Sequence, residues 1–191
     1  MKRIFFVLAL AACSLYANAQ NENYNRLFLG YAPTDYAVGG TEIRHQGFNL
    51  GWLHGFNVAG EQLPLYLETG LTANLGFGKL FSDCDKTLNF EAPVNVTYRY
   101  NIPNTNVRLS PYFGFHFKVN AFAEDEDGDD YFDLDGSRRF QFGMQVGARI
   151  ELNRFFIGAG WNKDFMPMLR ANRHLGDVKT SGMRVNIGFT F

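Results

Sequence analysis

The sequence predicts an all-β chain, an eight-stranded antiparallel up-and-down transmembrane β-barrel. Three observations predict it. Apolar and polar residues alternate with period two through most of the chain. The connections between alternating stretches are short and long in turn. The apolar face is also too large to sit inside a barrel of this size.

The first segment to explain is not a strand. Lys2 and Arg3 precede an apolar run over residues 4–12, and Ala17-Asn18-Ala19 forms a small-x-small cleavage site. Residues 1–19 therefore read as a signal peptide and residues 20–191 as the barrel domain. The apolar run is too short to cross a bilayer as a helix. A second reading takes Leu10-Ala11-Ala12-Cys13 as a lipobox, with Cys13 a lipidated N-terminus. Loss of Lys2 and Arg3 takes the 18 basic residues to 16 against 19 acids, a mature charge of about −3. That balance argues against a nucleic-acid partner. Cys84 then remains without a cysteine to pair with; in Ser82-Asp83-Cys84-Asp85-Lys86 its flanking acids disfavour the thiolate, and it reads as inert.

Strands are expected near residues 26–33, 43–58, 64–81, 87–100, 109–119, 140–152, 154–166 and 183–191. The last is the clearest. Met183, Val185, Ile187, Phe189 and Phe191 share one face, and Arg184, Asn186, Gly188 and Thr190 the other. In residues 140–152, Phe140, Phe142, Met144, Val146, Ala148, Ile150 and Leu152 oppose Gln141, Gly143, Gln145, Gly147, Arg149 and Glu151. In residues 109–119, Phe113, Phe115 and Phe117 oppose Tyr112, Gly114, His116 and Lys118. Short connections are expected around Gly60, Asn104 and Asn153. The other four are expected to be longer, with residues 124–136 filling the longest.

A soluble barrel would turn its apolar face inward. Roughly forty large residues cannot fit there, because an eight-stranded interior is only just wide enough to be filled by side chains. Glycine is concentrated on the polar face (Gly51, Gly55, Gly70, Gly114, Gly143, Gly147, Gly158 and Gly160 among others), which suits a crowded lumen. Tyr31, Trp52, Tyr98, Tyr100, Phe155 and Trp161 lie on the apolar face, several near strand ends where interfacial aromatics sit. The apolar face is therefore expected to meet lipid. Closure would then pair every backbone group within the protein.

On these strand patterns, and on the terminal strand ending in Phe191, the chain resembles the small outer-membrane barrels of Gram-negative bacteria, the OmpA/OmpX-like "outer membrane protein beta-barrel domain" group. The resemblance covers residues 21–191. It implies outer-membrane localisation, extracellular long loops and periplasmic termini. It also implies contact with outer-membrane lipid and lipopolysaccharide, and delivery by the barrel-assembly machinery, which reads such a C-terminal strand. No periplasmic peptidoglycan-binding domain is expected after the barrel.

Two candidate sites follow. The first is a lumen charge network in two rough layers, Glu68, Arg99, Arg108, Arg149 and Glu151 nearer the short turns, and Glu91, His116, Lys118, Asp164 and Arg184 farther up. Charges in a narrow lumen must pair or stay wet. The network reads either as a salt-bridged plug or as a gated ion path. The second is the stretch 124–136, with eight carboxylates in thirteen residues. Asp125, Asp127, Asp129, Asp133 and Asp135 place hard oxygens at calcium-ligand spacing, and Gly128 and Gly136 permit turns. The EF-hand frame fails, since Asp130 falls where its glycine belongs and Gly136 where its bidentate glutamate belongs. The tract otherwise reads as a solvated loop, and Tyr131 and Phe132 read as a contact surface or as residues folding back on the rim.

No cofactor is expected beyond a calcium ion at that loop. The histidines are His45, His54, His116 and His174, and none forms the His-x-Ser pairing of the lipid A deacylase motif. The basic loop with Arg170, Arg173, His174 and Lys179 offers contacts to lipopolysaccharide phosphates. The expected role is that of a non-enzymatic envelope barrel with a surface-interaction function and an unidentified extracellular ligand. A narrow gated channel and a lipid-modifying enzyme are the alternatives.

Overall fold

The computed structural model describes residues 23–38, 40–60, 63–78, 85–124, 127–130, 132, 137–168 and 177–191. The signal segment, Cys13 and Cys84 lie outside these residues. Ten strands are present: β1 (Tyr24–Tyr31), β2 (Thr34–Val38), β3 (Thr41–Asn57), β4 (Leu65–Gly78), β5 (Asp85–Tyr98), β6 (Tyr100–Asn101), β7 (Val107–Glu124), β8 (Phe140–Leu152), β9 (Phe155–Asp164) and β10 (Lys179–Thr190).

They make eight walls. β1 and β2 both pair antiparallel with β3 on one side and β10 on the other, so they are one strand interrupted at residues 32–33. β6 continues β5 along β7. From β3 each wall pairs with the next in sequence, and β10 returns to β1. The ring closes with Arg26 opposite Thr190 and Tyr31 opposite Val185.

Pro33 explains the interruption, since it has no N–H to give the ladder. The chain steps inward there, and both neighbours are glycine. A Cβ on Gly47 of β3 would meet the Ala32 carbonyl at 2.5 Å, and one on Gly182 of β10 the Pro33 carbonyl at 2.6 Å. The first connection was expected to be long. Instead β2 extends the first wall and only residues 39–40 separate it from β3, because Tyr36 and Ala37 continue the ladder beyond the proline.

The faces are assigned as lipid-facing outside and polar inside. Thirty-four large apolar side chains among the described residues are exposed, while buried positions hold twenty-three polar or charged residues against eleven apolar ones. A soluble domain shows the reverse. Phe115, Phe117, Phe142 and Phe165 form a continuous aromatic patch on the outer face, with ring centroids 5.1–5.6 Å apart. Tyr31, Trp52, Tyr98, Tyr100 and Phe155 are exposed, and Trp161 is half-buried. β3 and β7, at 17 and 18 residues, are longer than the roughly nine to eleven a tilted strand needs to cross. They extend past the apolar band at the end opposite the short turns. Residues 153–154 and 102–106 form two of those turns, and Asn153 and Asn104 adopt positive φ of 56° and 60°.

Inside, Tyr112 lies across Gly147 and Gly160, and a Cβ at Gly147 would also meet the Ala159 carbonyl. These glycines make room for a ring that supports the Arg149 guanidinium 4.1 Å from its centroid. A Gly147→Val barrel is expected to lose about 1–3 kcal/mol of unfolding free energy through overpacking, read by urea unfolding in lipid vesicles.

Candidate functional site: the lumen and its capped mouth

The alternation that sends phenylalanine outward sends every second residue into one narrow space, where charges from walls distant in sequence meet. The lower tier is built on two carboxylates. Glu68 of β4 pairs with Arg26 of β1 and with Arg149 of β8, the latter at 2.9 Å, and accepts hydrogen bonds from Tyr24 (2.5 Å) and Thr97 (2.7 Å). Glu151 of β8 pairs with Arg26, with Arg99 at 2.9 Å and with Arg108 at 3.4 Å, and accepts a hydrogen bond from Ser110 at 2.7 Å. Arg26 thus bridges both carboxylates. Tyr24 stacks under Arg99 at 3.9 Å, which returns part of the hydration that burial removes.

Beside this tier, with Leu53 opposite Arg26 and Phe156 opposite Glu151, Phe28, Leu53 and Phe156 form a small apolar knot inside the lumen. Gln145 donates to Asn95 at 2.7 Å. The upper tier follows. Arg184 meets Glu91 through two bonds of 3.0 and 3.1 Å. Asp164 accepts from His116 Nε2 at 2.6 Å on one oxygen, and from Lys118 and Thr180 on the other. All ten sequence-predicted network residues face the lumen and lie in these two groups; Arg108 is the most exposed, at 33%, and sits at the short-turn mouth. Sequence reasoning missed Arg26, Tyr24 and the apolar knot. The alternation in residues 24–31 did put Tyr24, Arg26 and Phe28 on one face, and that was the available signal.

The opposite mouth is covered in part by strand ends and loop residues. Tyr36, Ala123, Phe132, Met168 and Val178 form a buried cluster there. Phe132 comes from the acidic tract, and the Arg139 guanidinium lies 5.0 Å over its ring. Asp130 holds the turn. Its Oδ1 accepts from the backbone N–H of Phe132 (3.0 Å) and Ala123 (3.2 Å), and its Oδ2 from Arg139 at 2.8 Å. Partial burial pushes the Asp130 carboxyl up, but those three donors outweigh it and hold it below its ordinary value. The Arg138 N–H donates to the Met168 carbonyl and the Met168 N–H to the Val178 carbonyl, both at 2.8 Å, which ties the two long loops together.

The tract is thus not simply a solvated tip, because Phe132 gains a buried seat that outweighs solvation of its neighbours. Asp127 and Asp129 are exposed, while Asp125, Tyr131, Asp133 and Asp135 lie outside the described residues. Among the described residues no three His, Cys, Asp or Glu side chains converge as metal ligands.

The model of one family, the outer membrane protein beta-barrel domain, matches residues 5–191. The chain belongs to that family. As a member of this outer-membrane barrel family it is an integral protein of the outer membrane. Similar solved structures include neisserial surface protein A, at 11% identity and TM-score 0.55, covering 90% of this chain and all of that one. The outer membrane enzyme PagL is similar at 10% identity and TM-score 0.50, covering 83% and 97%. Ail of Yersinia pestis, in complex with the heparin analogue sucrose octasulfate, matches at 18% identity and TM-score 0.47, covering 90% and 100%. These likenesses concern the fold. Among curated proteins none matches.

On this outer-membrane barrel the described histidines are placed as follows. His45 is buried beneath the cap, with Nε2 3.2 Å from the Asp85 carbonyl and Tyr36 edge-on. His54 sits beside Phe56 and Trp52, with Nδ1 2.9 Å from Asn25. His116 meets Asp164, and the Thr180 hydroxyl beside them bonds the carboxylate. A nucleophile would need the reverse arrangement, with the hydroxyl on the base and the base on the acid. His174 lies outside the described residues.

Removing one partner of a buried pair leaves the other charge uncompensated. Glu68→Gln strips Arg26 and Arg149 of their shared counter-charge and is expected to lower unfolding free energy by about 3–5 kcal/mol, measured by urea titration. The cap should respond to acid. Because the Asp130 value is depressed, its contribution is complete above the ordinary aspartate value of about 3.9 and is lost as pH falls through the depressed one. Amide exchange at Ala123 and Phe132 is expected to accelerate below that pH, and Asp130→Asn is expected to show the faster exchange already at pH 7.

Proposed function

We propose that this outer-membrane barrel is a non-enzymatic envelope component that contributes to membrane structure and presents its capped mouth as a surface for interaction. The obstruction of the lumen at two levels carries this reading. Paired charges occupy the lower tier, and Phe132, Met168 and Tyr36 pack into one buried cluster at the upper mouth. A solute path would have to pass both.

The orientation that fits puts the capped mouth outside and the short turns and both chain ends in the periplasm, as in bacterial barrels generally. Lipopolysaccharide is a fitting neighbour. Lys163 and Lys179 are exposed on adjacent walls near the capped mouth, Lys163 directly opposite Ser181 and Lys179 two residues beyond it. Cationic side chains at that height suit lipid phosphates. β10 with its exposed terminal Phe191 is the segment offered to the barrel-assembly machinery.

Two measurements test the role. In planar bilayers the refolded barrel is expected to stay silent across applied voltage, and discrete openings would move the reading to a gated channel. Lipid A from cells with and without the gene is expected to give identical mass profiles, and a removed or added acyl chain would make the protein an enzyme.

A further inference from the structure

The lower tier does not balance. Among the described residues four guanidiniums, Arg26, Arg99, Arg108 and Arg149, share two carboxylates, Glu68 and Glu151. Three of the four are less than a tenth exposed. Excess positive charge next to a hydrocarbon layer is costly and calls for a counter-ion. The excess is concentrated at the short-turn mouth, where Arg99 and Arg108 both reach the same oxygen of Glu151. The Nε of Arg99 is buried and has no hydrogen-bond partner.

A cavity of about 460 Å³ opens beside the outermost of these cations. Arg108 lines it with Asn101, Asn104, Thr105, Asn106 and Asn153, and Ile102, Pro103 and Val107 complete the wall. Asn101 accepts from Arg108 Nε at 2.6 Å and so turns the guanidinium along the cavity wall. Side-chain amides and a hydroxyl both donate and accept, which matches the hydroxyls of a sugar-like ligand. A guanidinium matches a phosphate. The cavity has room for more than a bare oxyanion.

We propose that this pocket at the short-turn rim binds a phosphorylated, hydroxyl-bearing small molecule, its phosphate on Arg108 and its hydroxyls on the surrounding asparagines. The bound oxyanion supplies negative charge that the lower tier lacks. The site is at the opposite end of the barrel from the capped mouth and is independent of the role proposed above.

The refolded barrel, in detergent micelles, is titrated with glucose 6-phosphate, inorganic phosphate and glucose at constant ionic strength held with chloride, following amide resonances of residues 101–108 and 153. Glucose 6-phosphate is expected to give saturable shifts at these residues and to bind more tightly than inorganic phosphate, and glucose to give none. Arg108→Gln is expected to weaken binding about tenfold or more. Because Arg108 also touches Glu151, Asn104→Asp serves as a second variant on an exposed turn. Its added negative charge is expected to weaken binding without altering the other resonances. Absence of saturable shifts, or an affinity in both variants equal to that of the unsubstituted barrel, overturns the site. Glucose 6-phosphate binding no tighter than inorganic phosphate overturns the assignment of the asparagines to ligand hydroxyls.

Discussion

Hydrocarbon offers no hydrogen bonds, so every backbone N–H and C=O at membrane depth must find its partner within the protein. The rest of the structure answers to that constraint. It requires the last strand to return to the first, and the pairs from Arg26–Thr190 to Tyr31–Val185 make that joint. It makes the break at Pro33 tolerable only because β2 resumes pairing with both neighbours. It also inverts the usual distribution of residues, since the outside of the ring is now the apolar phase.

Inversion creates the second problem, which is the interior. Eight walls enclose a space that side chains must fill, and the alternation that supplies phenylalanine to lipid supplies polar residues to that space. Pairing answers it in part: in the lower tier Glu68 holds two arginines and Glu151 three, each carboxylate with at least one hydroxyl as well. In the upper tier Asp164 and Glu91 do the same for Lys118, His116 and Arg184. The Phe28–Leu53–Phe156 knot packs beside the lower-tier charges, with Arg26 5.6 Å over the Phe156 ring.

The barrel was legible in the sequence because period two is simple, and the same alternation put the charged residues of the network on the face opposite the outward apolar side chains. Other features were not legible, each for a physical reason. β2 follows a proline, which reads locally as the end of a strand; that pairing resumes depends on Gly47 in the next wall and Gly182 in the last. The fate of Phe132 was left open because its charged neighbours point to solvent, whereas its burial depends on Met168, Val178 and Tyr36 from two other segments. Arg26 was missed because its strand was started two residues late, at Arg26, which hid the face it shares with Tyr24.

Arg26 belongs to the first wall, yet its two partners stand on the third and the sixth. The contact with Glu68 lies across β3 alone, but the one with Glu151 cannot form while the ring is open at the β1–β10 seam. An unclosed sheet would keep those glutamates and arginines hydrated, and zipping the seam would drive out the water and complete their pairing in a single step. Closing the barrel and drying its interior are then one cooperative event, and a half-assembled chain carries an interior that is still wet.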